Sequence, residues 1–106
     1  MNNDSIEYLK SQVNEFSRVR GWEKFHAPKN LAMAITGEAG ELAAEFQWLS
    51  EQESELTQLS GEKLRAIRLE MADVQIYLLR LAERLNIALG EAVLEKLLVN
   101  ETRFEV

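Results

Sequence analysis

The chain is 106 residues long, 46% hydrophobic and 28% charged, which suits one globular domain with a modest core. Its net charge of −6 at neutral pH leaves it without the basic surface that non-specific binding to nucleic-acid polymers requires. It has no cysteine, no apolar run of membrane-spanning length and no signal-peptide pattern at Met1-Asn2-Asn3-Asp4, which excludes thiolate sites and fits a cytoplasmic protein that does not enter a membrane.

One proline, five glycines and apolar residues recurring at three- and four-residue steps predict an all-α chain, a single domain over residues 1–106. The first helix starts at Asp4 or Ser5, where Asp4-x-x-Glu7 resembles a capping box. It carries Ile6, Leu9, Val13, Phe16 and Val19 as one apolar stripe and ends at Gly21. Trp22 to Lys29 forms a connector that holds the single histidine, His26, and Pro28 restricts the backbone just before the next helix.

The second helix is predicted from about Asn30 to Leu49, with Leu31, Ile35, Leu42, Phe46 and Leu49 on one stripe. Glu38 falls inside that stripe, and Glu41 and Glu45 lie along its edge. Gly37 and Gly40 flank Glu38, although each costs roughly 1 kcal/mol relative to alanine in a helix interior. Small residues there predict the close approach of a neighbouring helix or a ligand. Ser50 to Ser60 reads as an acidic loop.

The third helix is predicted from Gly61 to Leu85 with Ser60 as its N-cap. Leu64, Ile67, Met71, Val74, Leu78, Leu81 and Leu85 form its main stripe, while Leu69, Ile76 and Leu79 lie off it, which predicts cover on more than one side. Glu70 and Tyr77 share an edge of the stripe, and Asp73 sits between Leu69 and Ile76. A last helix, Leu89 to Arg103, carries Val93, Leu94, Leu97 and Leu98, with Lys96, Asn100 and Arg103 on one other face.

The acids Glu38-x-x-Glu41 and Glu70-x-x-Asp73 are therefore two i,i+3 pairs, each on one face of its helix and among apolar neighbours. A solvated acidic face would put them opposite the stripe. Packed together, the two helices would gather negative charge that only a cation can balance. Oxygen donors with no cysteine and no histidine at ligand spacing select Mg²⁺, or Mn²⁺ in its place, and Mg²⁺ sites are commonly completed by substrate phosphates. A di-iron carboxylate bundle needs Glu-x-x-His on two helices and fails on the histidine count.

The stretches Gly37-Glu-Ala-Gly-Glu-Leu-Ala-Ala-Glu-Phe-Gln-Trp48 and Glu70-Met-Ala-Asp-Val-Gln-Ile-Tyr-Leu-Leu79 resemble the MazG-like all-α nucleoside triphosphate pyrophosphohydrolases. Gly21-Trp-Glu-Lys-Phe-His-Ala-Pro-Lys-Asn30 and Lys96-x-x-x-Asn100 look most like the dCTP pyrophosphatase branch. The resemblance implies a four-helix MazG-like bundle completed by dimerisation, as a homodimer or a homotetramer built as a dimer of dimers. It implies Mg²⁺ on Glu38, Glu41, Glu70 and Asp73 as the catalytic acids, and hydrolysis of a nucleoside triphosphate to the monophosphate and pyrophosphate in nucleotide-pool sanitation. It places Trp22, His26, Trp48 and Tyr77 near the base or sugar, and Lys96 and Asn100 as polar contacts to the substrate.

Read from the residues alone, each of these has an ordinary alternative: core or interface packing for the tryptophans and Tyr77, local bonding for His26, a solvated helix face for Lys96 and Asn100. Glu45 is a candidate acid supporting the metal ligands from behind, with a surface or interface ion pair as its ordinary alternative, and Arg103 reads as a helix-end charge. The branch carries a histidine in the first helix where Val13 stands here, so base preference does not follow from the resemblance. The rival readings are a catalytically silent helical scaffold, and a pyrophosphatase for dUTP or for a histidine-pathway nucleotide.

Overall fold

The computed structural model describes residues 5–104. Among these residues the chain forms α-helices α1 (Ile6–Val19), α2 (Pro28–Ala44), α3 (Gly61–Arg84) and α4 (Leu89–Arg103), with 3₁₀ turns at Trp22–Phe25 and Leu56–Gln58 and no strand. The all-α expectation holds, and α3 and α4 fall within a residue of their predicted limits.

Local chemistry sets the boundaries. Ser5 caps α1, its Oγ accepting from the Tyr8 amide at 3.2 Å, so the cap lies one residue beyond Asp4; the Asp4 box itself falls outside the described residues. Gly21 adopts a left-handed φ of 63°, which lets the chain leave α1 and enter the 3₁₀ turn that carries Trp22. Pro28 occupies the first turn of α2, where its missing N–H costs nothing. Ser60 caps α3 by accepting from the Lys63 amide at 3.1 Å.

The predicted second helix is too long. After Ala44 the amides of Glu45, Phe46 and Leu49 bond to carbonyls three residues back, at 2.9–3.1 Å, so the apolar period of Phe46 and Leu49 continues into tight turns rather than helix. The expected loop that follows is built, because the Ser50 amide donates to Glu53 Oε1 at 2.8 Å and the Glu53 amide to Ser50 Oγ at 3.1 Å. That reciprocal pair is the capping-box arrangement on a turn.

Helices α2 and α3 pack antiparallel. Lys63 Nζ donates to Glu45 Oε1 at 3.1 Å, where α3 begins and α2 has just ended, and Glu41 faces Glu70 one turn deeper. Helix α1 lies against α3 on another side. Leu31, Ile67, Leu79 and Ala82 form the buried apolar core. Leu79, placed off the main stripe by sequence phase, is buried to 1% exposure, whereas Met71 within that stripe is 57% exposed. The cover on more than one side that the off-stripe residues predicted is present, with α1 and α2 both packed on α3, but phase did not rank which face lies deepest. Gly37 and Gly40 stand in open space, since a Cβ at either would meet no atom of another element within 4 Å; the neighbouring helix expected close to them is not found among the described residues.

Helix α4 is a different case. Val93, Leu94, Leu97, Leu98 and Val99 are all exposed, and the Cα radius of gyration, 16.3 Å, exceeds the roughly 13 Å of a compact domain this long. The single chain thus leaves much of its apolar surface uncovered.

Truncating the core should separate these regions. Leu79→Ala is expected to cost about 2–5 kcal/mol of unfolding free energy, and Leu56→Ala, at an exposed site, less than about 0.5 kcal/mol. Urea unfolding at one fixed protein concentration checks this, and similar losses for both would contradict the core assignment.

Candidate functional site

The antiparallel register of α2 on α3 decides which acids meet. One carboxylate oxygen each from Glu38, Glu41 and Glu70 lies within 4.8 Å of the others. Glu38 and Glu70 are half-buried and Glu41 is exposed. Asp73, one turn along α3 from Glu70, stands near Glu38 on the side of an adjoining cleft that both residues line.

Two atoms show the strain of this gathering. Glu38 Oε2 and Glu70 Oε2 are shut off from solvent and accept no hydrogen bond among the described residues. Both glutamates hold protons more tightly than an ordinary carboxylate does. For Glu38 the first cause is loss of solvent, followed by the charges of Asp73 and Glu41. For Glu70 it is again loss of solvent, then Glu41, Asp73, Glu38 and Glu45. Orphaned acceptor oxygens among like charges are what a cation would satisfy, and an all-oxygen donor set suits a hard divalent ion. Glu45 is drawn away from the cluster into its ion pair with Lys63, its ordinary alternative.

Beside the acids opens a cleft of about 540 Å³. Helix α1 contributes Val13, Phe16 and Ser17, the 3₁₀ turn and the residue after it contribute Trp22 and His26, and α3 contributes Asp73, Tyr77 and Arg80. The Phe16 and Trp22 rings meet edge to face with centroids 5.5 Å apart, and His26 sits edge-on to Trp22 at 6.4 Å. The guanidinium of Arg20 covers the Phe16 ring at 3.5 Å. An acidic end and an aromatic wall in one cleft suit a ligand that is anionic at one end, through a metal, and planar at the other.

Of the residues singled out by sequence, Glu38, Asp73, Trp22, His26 and Tyr77 line this cleft, and Glu41 and Glu70 complete the acid cluster. Trp48, Lys96 and Asn100 do not reach it: Trp48 projects from the turns after α2 with 86% of its surface exposed, and the other two sit on α4. Sequence reasoning missed Arg80 and Asn14. Arg80 is 2% exposed, its Nε donating to His26 Nδ1 at 3.1 Å and its Nη1 to Asn14 Oδ1 at 2.8 Å. Its signal was present, since Glu70, Asp73, Tyr77 and Arg80 are spaced i, i+3, i+7, i+10 on one face of α3. Burial and the proximity of Arg80 and Arg84 make His26 harder to protonate, in keeping with an Nδ1 that accepts from Arg80.

No family model matches the chain. It is 39% identical over 102 residues to dCTP pyrophosphatase 1 of Mus musculus, covering 96% of this chain and 60% of that protein. To dCTP pyrophosphatase 1 of Homo sapiens it is 40% identical over 100 residues, covering 94% and 59%. The chain thus spans about 60% of the length of the curated relatives it matches. The crystal structure of a pyrophosphatase from Archaeoglobus fulgidus superposes with a TM-score of 0.86 at 37% identity, covering 100% of this chain and 97% of that one. With the fold matched end to end and the acid pairs in place on α2 and α3, the chain belongs to the MazG-like all-α nucleoside triphosphate pyrophosphohydrolases.

Proposed function

We propose that the protein hydrolyses a deoxynucleoside triphosphate, dCTP or a near analogue, to the monophosphate and pyrophosphate, trimming the cytoplasmic nucleotide pool. The observation that carries this reading is the convergence of Glu38, Glu41 and Glu70, with two unpartnered oxygens, at the end of an aromatic-lined cleft. The relatives named dCTP pyrophosphatase support the substrate class. A helical scaffold would gain by replacing the half-buried acids with apolar side chains, so their retention favours the enzyme.

Glu38, Glu41 and Glu70 would hold the cation, Mg²⁺ or in its place Mn²⁺, with Asp73 the fourth acid on the cleft side. A divalent ion in that position supplies charge neutralisation at the phosphate oxygens and a water of lowered pKa. The remaining work falls to the chain. Trp22, braced by Phe16, offers a flat apolar face to the base, and such stacking is worth about 1–3 kcal/mol. Tyr77, between Asp73 and Arg80 on α3, is positioned for the sugar. A carboxylate left free of the ion takes the proton of the attacking water while the phosphorus–oxygen bond to the departing pyrophosphate breaks.

A second copy of the chain is the proposed cover for α4. The exposed leucines of that helix, the extended single chain, and the distance of Trp48, Lys96 and Asn100 from the cleft all favour a homodimer or homotetramer. In it, one protomer would bring these three residues to the other's substrate.

The direct test is incubation with each deoxynucleoside triphosphate and Mg²⁺, following pyrophosphate and monophosphate. Turnover is expected with dCTP, and dUTP is the arm that would identify the rival substrate. Glu41→Gln and Glu70→Gln should each lower kcat/KM by more than the roughly 10–100-fold that loss of an outer-sphere partner costs a metal site. No turnover on any nucleotide with either metal sinks the enzyme reading, and undiminished variants sink the metal site.

Acidity gives a second check. Glu38 and Glu70 have raised proton affinity in the folded chain, so their stabilising contribution is present below the ordinary glutamate value of 4.5 and is lost as pH rises through their folded values. Mg²⁺ should therefore raise Tm at neutral pH and do so progressively less on acidification, as protons compete for the same oxygens. A Tm indifferent to Mg²⁺ at neutral pH would count against the site.

Sedimentation at micromolar concentration should show a dimer or larger species. Leu94→Glu with Leu98→Glu should shift it toward monomer and lower turnover together, and a wild-type monomer would overturn the proposed assembly.

A further inference from the structure

Two polar residues are buried among the described residues, Ser17 and Arg80, and both line the cleft rather than the core between helices. Arg80 is the stranger of the two. A guanidinium has five N–H donors and no acceptor, and burying one without a carboxylate is costly. Arg80 makes no ion pair among the described residues. Its two hydrogen bonds go to neutral acceptors, Asn14 Oδ1 and His26 Nδ1, which fix the plane of the group from α1 and from the end of the 3₁₀ turn. Three N–H groups are left, both on Nη2 and one on Nη1, with no partner among the described residues.

The location narrows what these donors are for. Arg80 lies seven residues beyond Asp73 on α3, about 10 Å along the helix axis. With the phosphates held at the acids, that is the span a nucleoside covers between its 5′ oxygen and the outer edge of its base. Trp22 and Phe16 form the aromatic wall beside it, and Val13, also on the cleft wall, has no hydrogen-bonding side-chain atom.

With the cleft taken as the nucleotide site of the proposed hydrolase, we propose that Arg80 is its specificity-determining residue, the free Nη hydrogens reading two adjacent acceptors on the base edge. Cytosine presents such a pair, O2 and N3. Uracil and thymine carry a hydrogen on N3, which would face an N–H donor and leave both unpaired. A neutral His26 and Asn14 hold the fork in position and act as positioning residues through Arg80. Guanine also presents an acceptor pair, O6 and N7, so dGTP is the arm that separates the two sources.

The test measures kcat/KM for dCTP, dGTP, dUTP and dTTP, and calorimetric binding of dCMP and dUMP without metal, for wild type, Arg80→Met and Arg80→Lys. Wild type should prefer dCTP or dGTP over dUTP and dTTP by roughly tenfold or more, the scale of one bidentate contact. Both variants should lose that preference, the dCTP-to-dUTP ratio of kcat/KM falling toward one, since a site built to hydrogen-bond rejects what cannot pair. If Arg80 merely braces α1 against α3, every nucleotide falls together and the ratio stays, which overturns the proposal. Wild-type protein alone provides an arm independent of variant folding: 3-deaza-dCTP lacks the N3 acceptor and should be used at least about fivefold less well than dCTP if cytosine is the base read. Equal use of dCTP, dGTP, dUTP and the 3-deaza analogue overturns the inference and leaves the hydrolase reading intact. Binding of dCMP over dUMP that requires Arg80, without turnover of any triphosphate, has the reverse meaning.

Discussion

Like charges are held together in this protein by the packing of two helices. The α2–α3 contact buries Leu31, Ile67 and Leu79, and the same register carries Glu38, Glu41 and Glu70 to within 4.8 Å of one another. Apolar burial at about 25 cal/mol per Å² supplies the free energy, and the carboxylates are carried along as passengers of the helical phase. Their repulsion is left unrelieved inside the chain, as the unpartnered oxygens of Glu38 and Glu70 show. The acids are thus brought together by the fold itself, before any ligand is bound.

The cleft beside the cluster carries charge of both signs. Its lining joins the acids Glu38 and Asp73 to the buried guanidinium of Arg80 and the rings of Phe16 and Trp22. Asp73 and Arg80 both lie on α3, so one helix sets the spacing between an acid of the cleft and the group proposed to read the base. Loop positions seldom fix such a distance as firmly as a helix does. Lys63 and Glu45 pair where the α2–α3 hairpin closes, one turn along α2 from Glu41.

Much of this was legible in the chain because helical phase is a strong signal where one face is apolar. Glu38 and Glu70 could be placed on half-buried helix faces from phase, with Glu41 exposed beside them, and Ser60 marked the start of α3 by its own chemistry, whereas α2 begins at Pro28 itself, two residues ahead of the predicted Asn30. What escaped has physical reasons. Phe46 and Leu49 keep the apolar period after the α2 hydrogen bonds have shortened to i→i+3, so periodicity overran the helix end. Met71 and Leu79 exchanged roles because phase showed that α3 is covered on more than one side but not which of its faces lies deepest. Arg80 was passed over because a lone arginine on a helix is ordinarily solvent-facing. Only the tertiary partners Asn14 and His26, from far along the sequence, reveal that it is buried.

The exposed side of the chain follows from the same economy. Helices α2 and α3 bring the acids together, while the exposed apolar residues of α4 find no cover among the described residues. Helix α4 carries a run of exposed leucine and valine, and Trp48 stands bare beyond α2. Isolated apolar residues on a surface mean little, whereas a contiguous helix face is unfavourable in water and calls for cover. A second copy would cover it at no cost in sequence length, and by rotational symmetry every α4 would be covered in the same way. The polar residues Lys96 and Asn100 ride on that same helix, so the surface that needs burial and the side chains suited to phosphate are fixed to one rigid body. Assembly and completion of the substrate site would then be a single event, and a destabilised interface would lower affinity for nucleotide before it disturbed the acids.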